Sequence, residues 1–182
     1  MHTARFLIIG TATTLAIGLS AAPAAAAPDG DTIVTFTISA GTLDIVVPGT
    51  AAIAGGAAGL PTSGPLGPVT VTDGRAAADG TWEVEAEGTD FETGGGTPTE
   101  TITDDLVEYW SGPATATTGA GPFVPGQATA AQSEPLDATV IAFNRTGGTG
   151  NGSATWNPTL IFNTPLANVA GAYVGTVTHS VA

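Results

Sequence analysis

Residues 82–87 read Trp-Glu-Val-Glu-Ala-Glu. In an extended strand successive side chains point to opposite faces, so Trp82, Val84 and Ala86 share one face and Glu83, Glu85 and Glu87 the other. A helix would scatter both sets around its circumference. The run therefore specifies a β-strand packed on a core along one side and wet along the other. Residues 69–72, Val-Thr-Val-Thr, alternate in the same way, and Asp73-Gly74 and Asp79-Gly80 supply turn chemistry between the two runs. Residues 69–91 thus read as two strands and the turn that joins them.

The same grammar recurs along the chain. Residues 33–39 place Val34, Phe36 and Ile38 on one face, and 43–47 place Leu43, Ile45 and Val47, with Gly41 as a turn between them. Pro48-Gly49 stops the second of these strands. Residues 50–68 are rich in Gly, Ala and Pro and read as a loop with one short strand near 52–54. Thr103 followed by Asp104 and Asp105 has the signature of a helix N-cap and predicts a turn of helix, then a strand over 107–110. Residues 111–133 carry Pro113, Pro122 and Pro125 and read mostly as loop with short edge pieces. Residues 136–143 alternate with both faces apolar, which suits a strand covered on both sides or one at an edge contact. Residues 146–152, Thr-Gly-Gly-Thr-Gly-Asn-Gly, read as a hairpin-like loop. Residues 153–163 form a strand that Pro158 demotes to an edge or a bulge. Residues 172–181 close the chain with Tyr173, Val177, His179 and Val181 on one inward face.

Seven to nine short strands with regular turn signals, and no convincing helical period beyond the first residues, predict an all-β fold. An immunoglobulin-like antiparallel β-sandwich is the expected architecture, with a closed β-barrel as the alternative. Residues 1–27 have the form of a secretory signal peptide: Arg5, an apolar run over 6–19, and a small-residue stretch with cleavage expected after Ala26 or Ala27. The apolar run is shorter than the roughly 20 residues of a membrane-spanning helix. Residues 28–182 are then one domain, with no stable membrane span once the leader is removed and a secreted or cell-wall-associated location.

The composition excludes several chemistries. The chain of 182 residues has no Cys and no Lys, and its formal charge is −13. Losing a leader that contains Arg5 makes it more negative still, so nucleic acid and anionic lipid are repelled. Without Cys there are no disulfides, thiol nucleophiles or thiolate metal sites. His2 belongs to the leader and leaves His179 alone on an apolar face, where a packed, hydrogen-bonded imidazole is the expectation. No G-x-S-x-G occurs and one His makes no zinc site. Glu83, Glu85 and Glu87 read as a solvated face rather than as paired glycosidase acids. Asp29, Asp31, Asp104 and Asp105 offer oxygen ligands, but no EF-hand loop is present. Residues 60–64, Leu-Pro-Thr-Ser-Gly, approach a sorting signal but lie internally and read as loop. Asp73 and Arg75 stand two residues apart, with Asp79 as a second partner for Arg75, and Arg145 is expected to be held by carboxylates for structural reasons. No catalytic, cofactor or metal residues are expected, and the protein is read as no enzyme.

Val69, Val71, Asp73, Arg75, Gly80, Trp82, Val84, Ala86 and Phe91, together with Gly171, Tyr173, Val177, His179 and Val181, resemble the two conserved segments of the WxL domains of Gram-positive secreted proteins. Two positions depart from that pattern: Val84 stands for Leu in the first motif and His179 for Trp in the second. The resemblance implies non-covalent attachment to peptidoglycan at the cell surface. The expected function is that of a secreted, non-enzymatic envelope or extracellular protein that binds a surface component, cell-wall glycan or a surface protein. A structural or assembly subunit pairing through sheet edges is the alternative, and a secreted hydrolase comes third. Tyr109 and Trp110, at a strand end before Ser111-Gly112-Pro113, are the candidate binding rim.

Overall fold

The computed structural model describes residues 32–182, so the expected leader and its cleavage site lie outside the described residues. The chain divides into two units, Met1–Thr37 and Ile38–Ala182. All strands among the described residues lie in the second: β1 (Leu43–Val46), β2 (Pro61–Pro65), β3 (Val69–Asp73), β4 (Trp82–Gly88), β5 (Phe91–Glu92), β6 (Thr101–Ile102), β7 (Val107–Trp110), β8 (Ala114–Thr118), β9 (Phe123–Pro125), β10 (Glu134–Pro135), β11 (Val140–Arg145), β12 (Gly152–Trp156), β13 (Thr159–Asn163) and β14 (Val177–Val181). They build four antiparallel sheets, ordered β1-β3-β12-β8, β10-β7-β13-β2, β14-β4-β11-β9 and β5-β6. None closes into a barrel, and the architecture is an all-β sandwich.

The first two sheets are halves of one bent sheet. β12 pairs with β3 and β8, and β13, two residues further on, pairs with β2 and β7. Three long strands, 61–73, 107–118 and 152–163, therefore run side by side through a common corner. Each corner is built from residues that cannot continue a ladder: Leu66-Gly67-Pro68, Ser111-Gly112-Pro113 and Asn157-Pro158. The Leu66 amide bonds the Pro158 carbonyl at 2.8 Å, and the Gly67 amide bonds Asn157 Oδ1 at 3.1 Å. Gly112 turns with φ +70°, and its amide donates to the Gln127 carbonyl. The edge or bulge expected at Pro158 is thus the corner of the bent sheet, and β13, paired on both sides, is no edge strand.

The third sheet, β14-β4-β11-β9, carries the opposite inner face. Trp82, Val84 and Ala86 of β4 are buried and the alternating Glu83, Glu85 and Glu87 are exposed, as the pattern requires. Phe143 stacks on Trp156 at 4.7 Å, joining the third sheet to the first through the core. Strands β3 and β4 do not pair with each other; they belong to opposite sheets. The connection over 74–81 is an arch between layers, and so is the Gly-rich stretch 146–151 between β11 and β12. A two-stranded hairpin leaves one face of each strand bare, whereas an arch lets both inner faces meet in one core.

A bulge resets the face of β11. Ile141 pairs with Glu85 and Phe143 with Val84, so Ala142 is the extra residue. Ala142 and Phe143 are both fully buried, Ile141 is 44% exposed, and Arg145 comes round to face the core opposite Trp82. Strict alternation would have put Phe143 and Arg145 outside with Ile141.

Other expectations are corrected at the periphery. Residues 33–39 and 52–54 form no strand, 60–64 are not a loop but supply β2, and β14 begins only at Val177. The turn of helix is present as a 3-10 turn, Asp104–Leu106, followed by β7.

Candidate functional site

Three inter-sheet arches meet at one end of the sandwich around Arg145. Its side chain is fully buried. Nε and Nη2 both donate to the Ala120 carbonyl, at 3.0 and 2.7 Å, Nη1 donates to Asp73 Oδ2 at 3.4 Å, and the guanidinium lies 5.4 Å from the Phe123 ring centroid. Asp73 is also buried and is clamped by Arg75, with Nε on Oδ1 at 2.9 Å and Nη2 on Oδ2 at 3.0 Å. The Arg75 guanidinium, first of all, holds the Asp73 carboxyl below the usual carboxylate range. Arg75 also donates to the Thr81 carbonyl, so it ties the turn and leaves Asp79 to Thr81. A Cβ on Gly80 would fall 2.7 Å from Arg145 Nη1, which is why the arch carries glycine there. The amide of Gly80 bonds the Gly148 carbonyl and that of Gly150 the Ala77 carbonyl, zipping two arches together. Each of the three guanidinium nitrogens of Arg145 has a partner inside the protein and the side chain is fully buried, so this cluster closes the sandwich.

His179 faces inward, as expected for β14, but its partner is Tyr109 and not Tyr173. The Tyr109 hydroxyl lies 3.1 Å from His179 Nε2 and accepts from Trp156 Nε1 at 3.4 Å. The hydroxyl and Nε2 share one proton-bearing bond, whose donor is set by the imidazole tautomer. Burial pushes His179 down to about 4 and Tyr109 upward, which agrees with both groups staying uncharged. No carboxylate among the described residues bonds this imidazole, so it lacks the orienting acid of a catalytic base. Tyr173 instead donates to the Val169 carbonyl at 2.9 Å.

The two rim residues separate. Tyr109 is fully buried and belongs to the core, because β7 alternates and Val107 and Tyr109 take the inner face. Trp110 takes the outer face, half-buried, level with Thr159 of β13, which is level with Pro65 of β2. The next row is Glu108, Ile161 and Ser63. The Glu108 carboxylate accepts from Asn163 Nδ2 at 2.9 Å and from the Ser133 hydroxyl. The outer side of this sheet therefore carries one aromatic ring with a fixed carboxylate in the next row.

Sequence reasoning missed a groove beside the corner. Its main lobe, about 660 Å³, has Phe91, Ile102 and Phe162 as floor and residues 51–58 and 168–173 as walls. A second lobe of about 200 Å³ shares Ala51, Ile53 and Phe91 and reaches His179. No Asp, Glu, Lys or Arg lines either lobe. The available signal was the run Ala-Ala-Ile-Ala-Gly-Gly-Ala-Ala at 51–58, which is apolar without being a strand. Among the described residues no cluster of His, Asp and Glu is arranged to hold a metal ion. No helix among them is long and apolar enough to cross a membrane.

No protein-family model matches the chain, and no curated protein matches it.

Proposed function

We propose that the protein is a non-enzymatic envelope or extracellular protein that binds a surface component, with cell-wall glycan as the ligand class, through the solvent face of β7, β13 and β2. The observation that carries this reading is Trp110, held half-buried on the outer sheet face beside a Glu108 carboxylate already fixed by Asn163 and Ser133. An aromatic ring on a rigid strand offers large contact area with little entropy to lose, and fixed polar groups beside it orient hydroxyl-rich ligands. The segments that resemble WxL domains, and the secretory form of residues 1–27, support an exported, wall-associated role. His179, in the place of the second motif's Trp, is tied to Tyr109 inside the sandwich, so wall binding on this reading belongs to Trp110 instead.

The test is retention of the secreted protein on purified insoluble cell walls, with Trp110→Ala beside the parent. Loss of an aromatic anchor of this kind weakens binding by about 2 kcal/mol, roughly thirtyfold. A folded Trp110→Ala protein retained as well as the parent overturns the assignment of this face.

A further inference from the structure

Residues 32–39 read Thr-Ile-Val-Thr-Phe-Thr-Ile-Ser, with no charge, Pro or Gly and a β-branched or aromatic residue at every position but the last. Few segments are better suited to a strand. Yet among the described residues no backbone hydrogen bond reaches 32–40, and Ile33, Val34, Phe36 and Ile38 are 93, 81, 81 and 74% exposed. Such a segment has strand-forming chemistry without a strand, and bare apolar side chains that natural proteins ordinarily cover.

The groove supplies the complement. Among the described residues, none of 50–58 donates a backbone hydrogen bond, so the outer wall of the groove is a run whose amides are not engaged there. The apolar floor lies directly beside it. Exposed Leu60 and Leu166 stand near its edge, where a Cβ on Gly59 would touch Leu166 at 3.0 Å. Charge narrows the choice of partner. In a chain of formal charge −13, copies repel wherever carboxylates face each other. The segment 32–39 and the groove are both uncharged, so these two surfaces meet without that penalty.

We propose that residues 32–39 of one copy bind a second copy as an added strand along 51–56, with Val34, Phe36 and Ile38 seated over Phe91, Ile102 and Phe162. Eight residues at about 3.3 Å each span about 26 Å, and a groove of about 660 Å³ is within the range of about 300–1,000 Å³ that takes ligand side chains. Each copy carries one donor strand and one acceptor groove. The contact is heterologous and generates chains, or rings where the rotation closes. It is independent of the wall-binding reading, because Trp110 lines neither lobe.

The test is sedimentation velocity on the full secreted chain over a wide concentration range, with three variants. The parent is expected to form concentration-dependent oligomers. Phe36→Asp spoils the donor, and Ala170→Trp fills the groove from its exposed wall; each alone is expected to stay monomeric. Mixed in equal amounts, they have one good acceptor and one good donor between them and should give a heterodimer and nothing larger. Ala52→Pro, which removes an amide from the acceptor run, replaces Ala170→Trp if that variant does not fold. A parent that stays monomeric at every concentration, including one whose strand folds back into its own groove, overturns the proposal. So do oligomers that survive Phe36→Asp, or a mixture of folded variants that stays monomeric. Monomeric Phe36→Asp is expected to bind cell walls like the parent, so failure of wall binding and failure of assembly are read separately.

Discussion

Asp73 ends a strand of one sheet, Arg145 ends a strand of the opposite sheet, and their side chains meet fully buried with Nη1 3.4 Å from Oδ2. The pair closes the gap between layers at the end where the arches cross. Asp73 keeps Arg75 as its stronger partner, and Arg145 directs Nε and Nη2 to the Ala120 carbonyl of a third connection. One acid and two guanidiniums thus fix how three separate chain segments turn over the core.

Removing this guanidinium should be costly. Arg145→Met leaves the Ala120 carbonyl without its donors and Asp73 with Arg75 alone. Breaking a buried charged contact by deleting one partner costs about 3–5 kcal/mol, a large part of an ordinary total of about 5–15 kcal/mol. A urea titration is expected to show the midpoint falling accordingly, with the slope unchanged.

Gly80 tests the same cluster from the other side. All three atoms nearest to a Cβ at this position belong to the Arg145 guanidinium. Gly80→Ala should destabilise by about 1–3 kcal/mol through overpacking. In an Arg145→Met background the added methyl meets a flexible, uncharged chain, so the second loss should be smaller than the first. A double-mutant cycle measures the difference, and strict additivity would mean that Arg145 is not what excludes a side chain there.

Acid should weaken the protein earlier than its carboxylates alone would predict. His179 titrates near 6.5 in an unfolded chain and at about 4 in the fold. As pH falls through that interval the unfolded chain takes up a proton that the folded one does not, so stability drops by up to about 3 kcal/mol. Asp73 acts in the same direction lower down: its contribution is complete above the ordinary carboxylate value and is lost as pH falls through its depressed folded value. His179→Phe should abolish the upper step while costing about 1–3 kcal/mol at neutral pH, because the buried Tyr109 hydroxyl loses its imidazole partner. Denaturation midpoints of parent and variant across this range decide it; a flat parental profile between about pH 6.5 and 4 would refute the linkage.

The Trp residues should divide by face. Trp82 is 1% exposed and packs on Phe143 and Phe123, so Trp82→Ala should cost about 3–5 kcal/mol and nearly unfold the domain. Trp110→Ala, on the outer face, should lose about 1 kcal/mol or less in stability and show its effect on wall retention instead. Equal losses in melting temperature would make Trp110 a structural residue.

Which residues point inward was legible wherever a strand is regular. Trp82, Val84 and Ala86 could be assigned from six letters, as could the break at Pro158, because period-two alternation and missing amides are local properties; the turn after Thr103 is where the sequence placed it, but Thr103 makes no capping bond and Asp90 binds the Asp104 amide instead. The face of Phe143 and Arg145 was not legible, since one extra residue at Ala142 reverses every position after it and nothing in the composition of 140–145 marks the bulge. Tyr109 was placed with Trp110 by adjacency, yet adjacency in a strand means opposite faces. The groove was hidden because its floor comes from Phe91, Ile102 and Phe162, which are far apart in the chain.

By itself the sequence determined that this protein is all-β, which positions in its regular strands are apolar on one side, and that its surface is acidic and free of Lys and Cys. Those are properties of single residues and of their near neighbours. The tertiary structure alone decided that β3 and β4 face each other from opposite sheets instead of pairing, that Asp73 and Arg145 meet at the arches, that His179 is bound to Tyr109, and that 33–39, for all their strand-forming residues, form no strand. Each of these depends on which distant strands share a ladder, and that choice is made by closing one core from all inner faces at once, a sum over contacts that no local pattern contains.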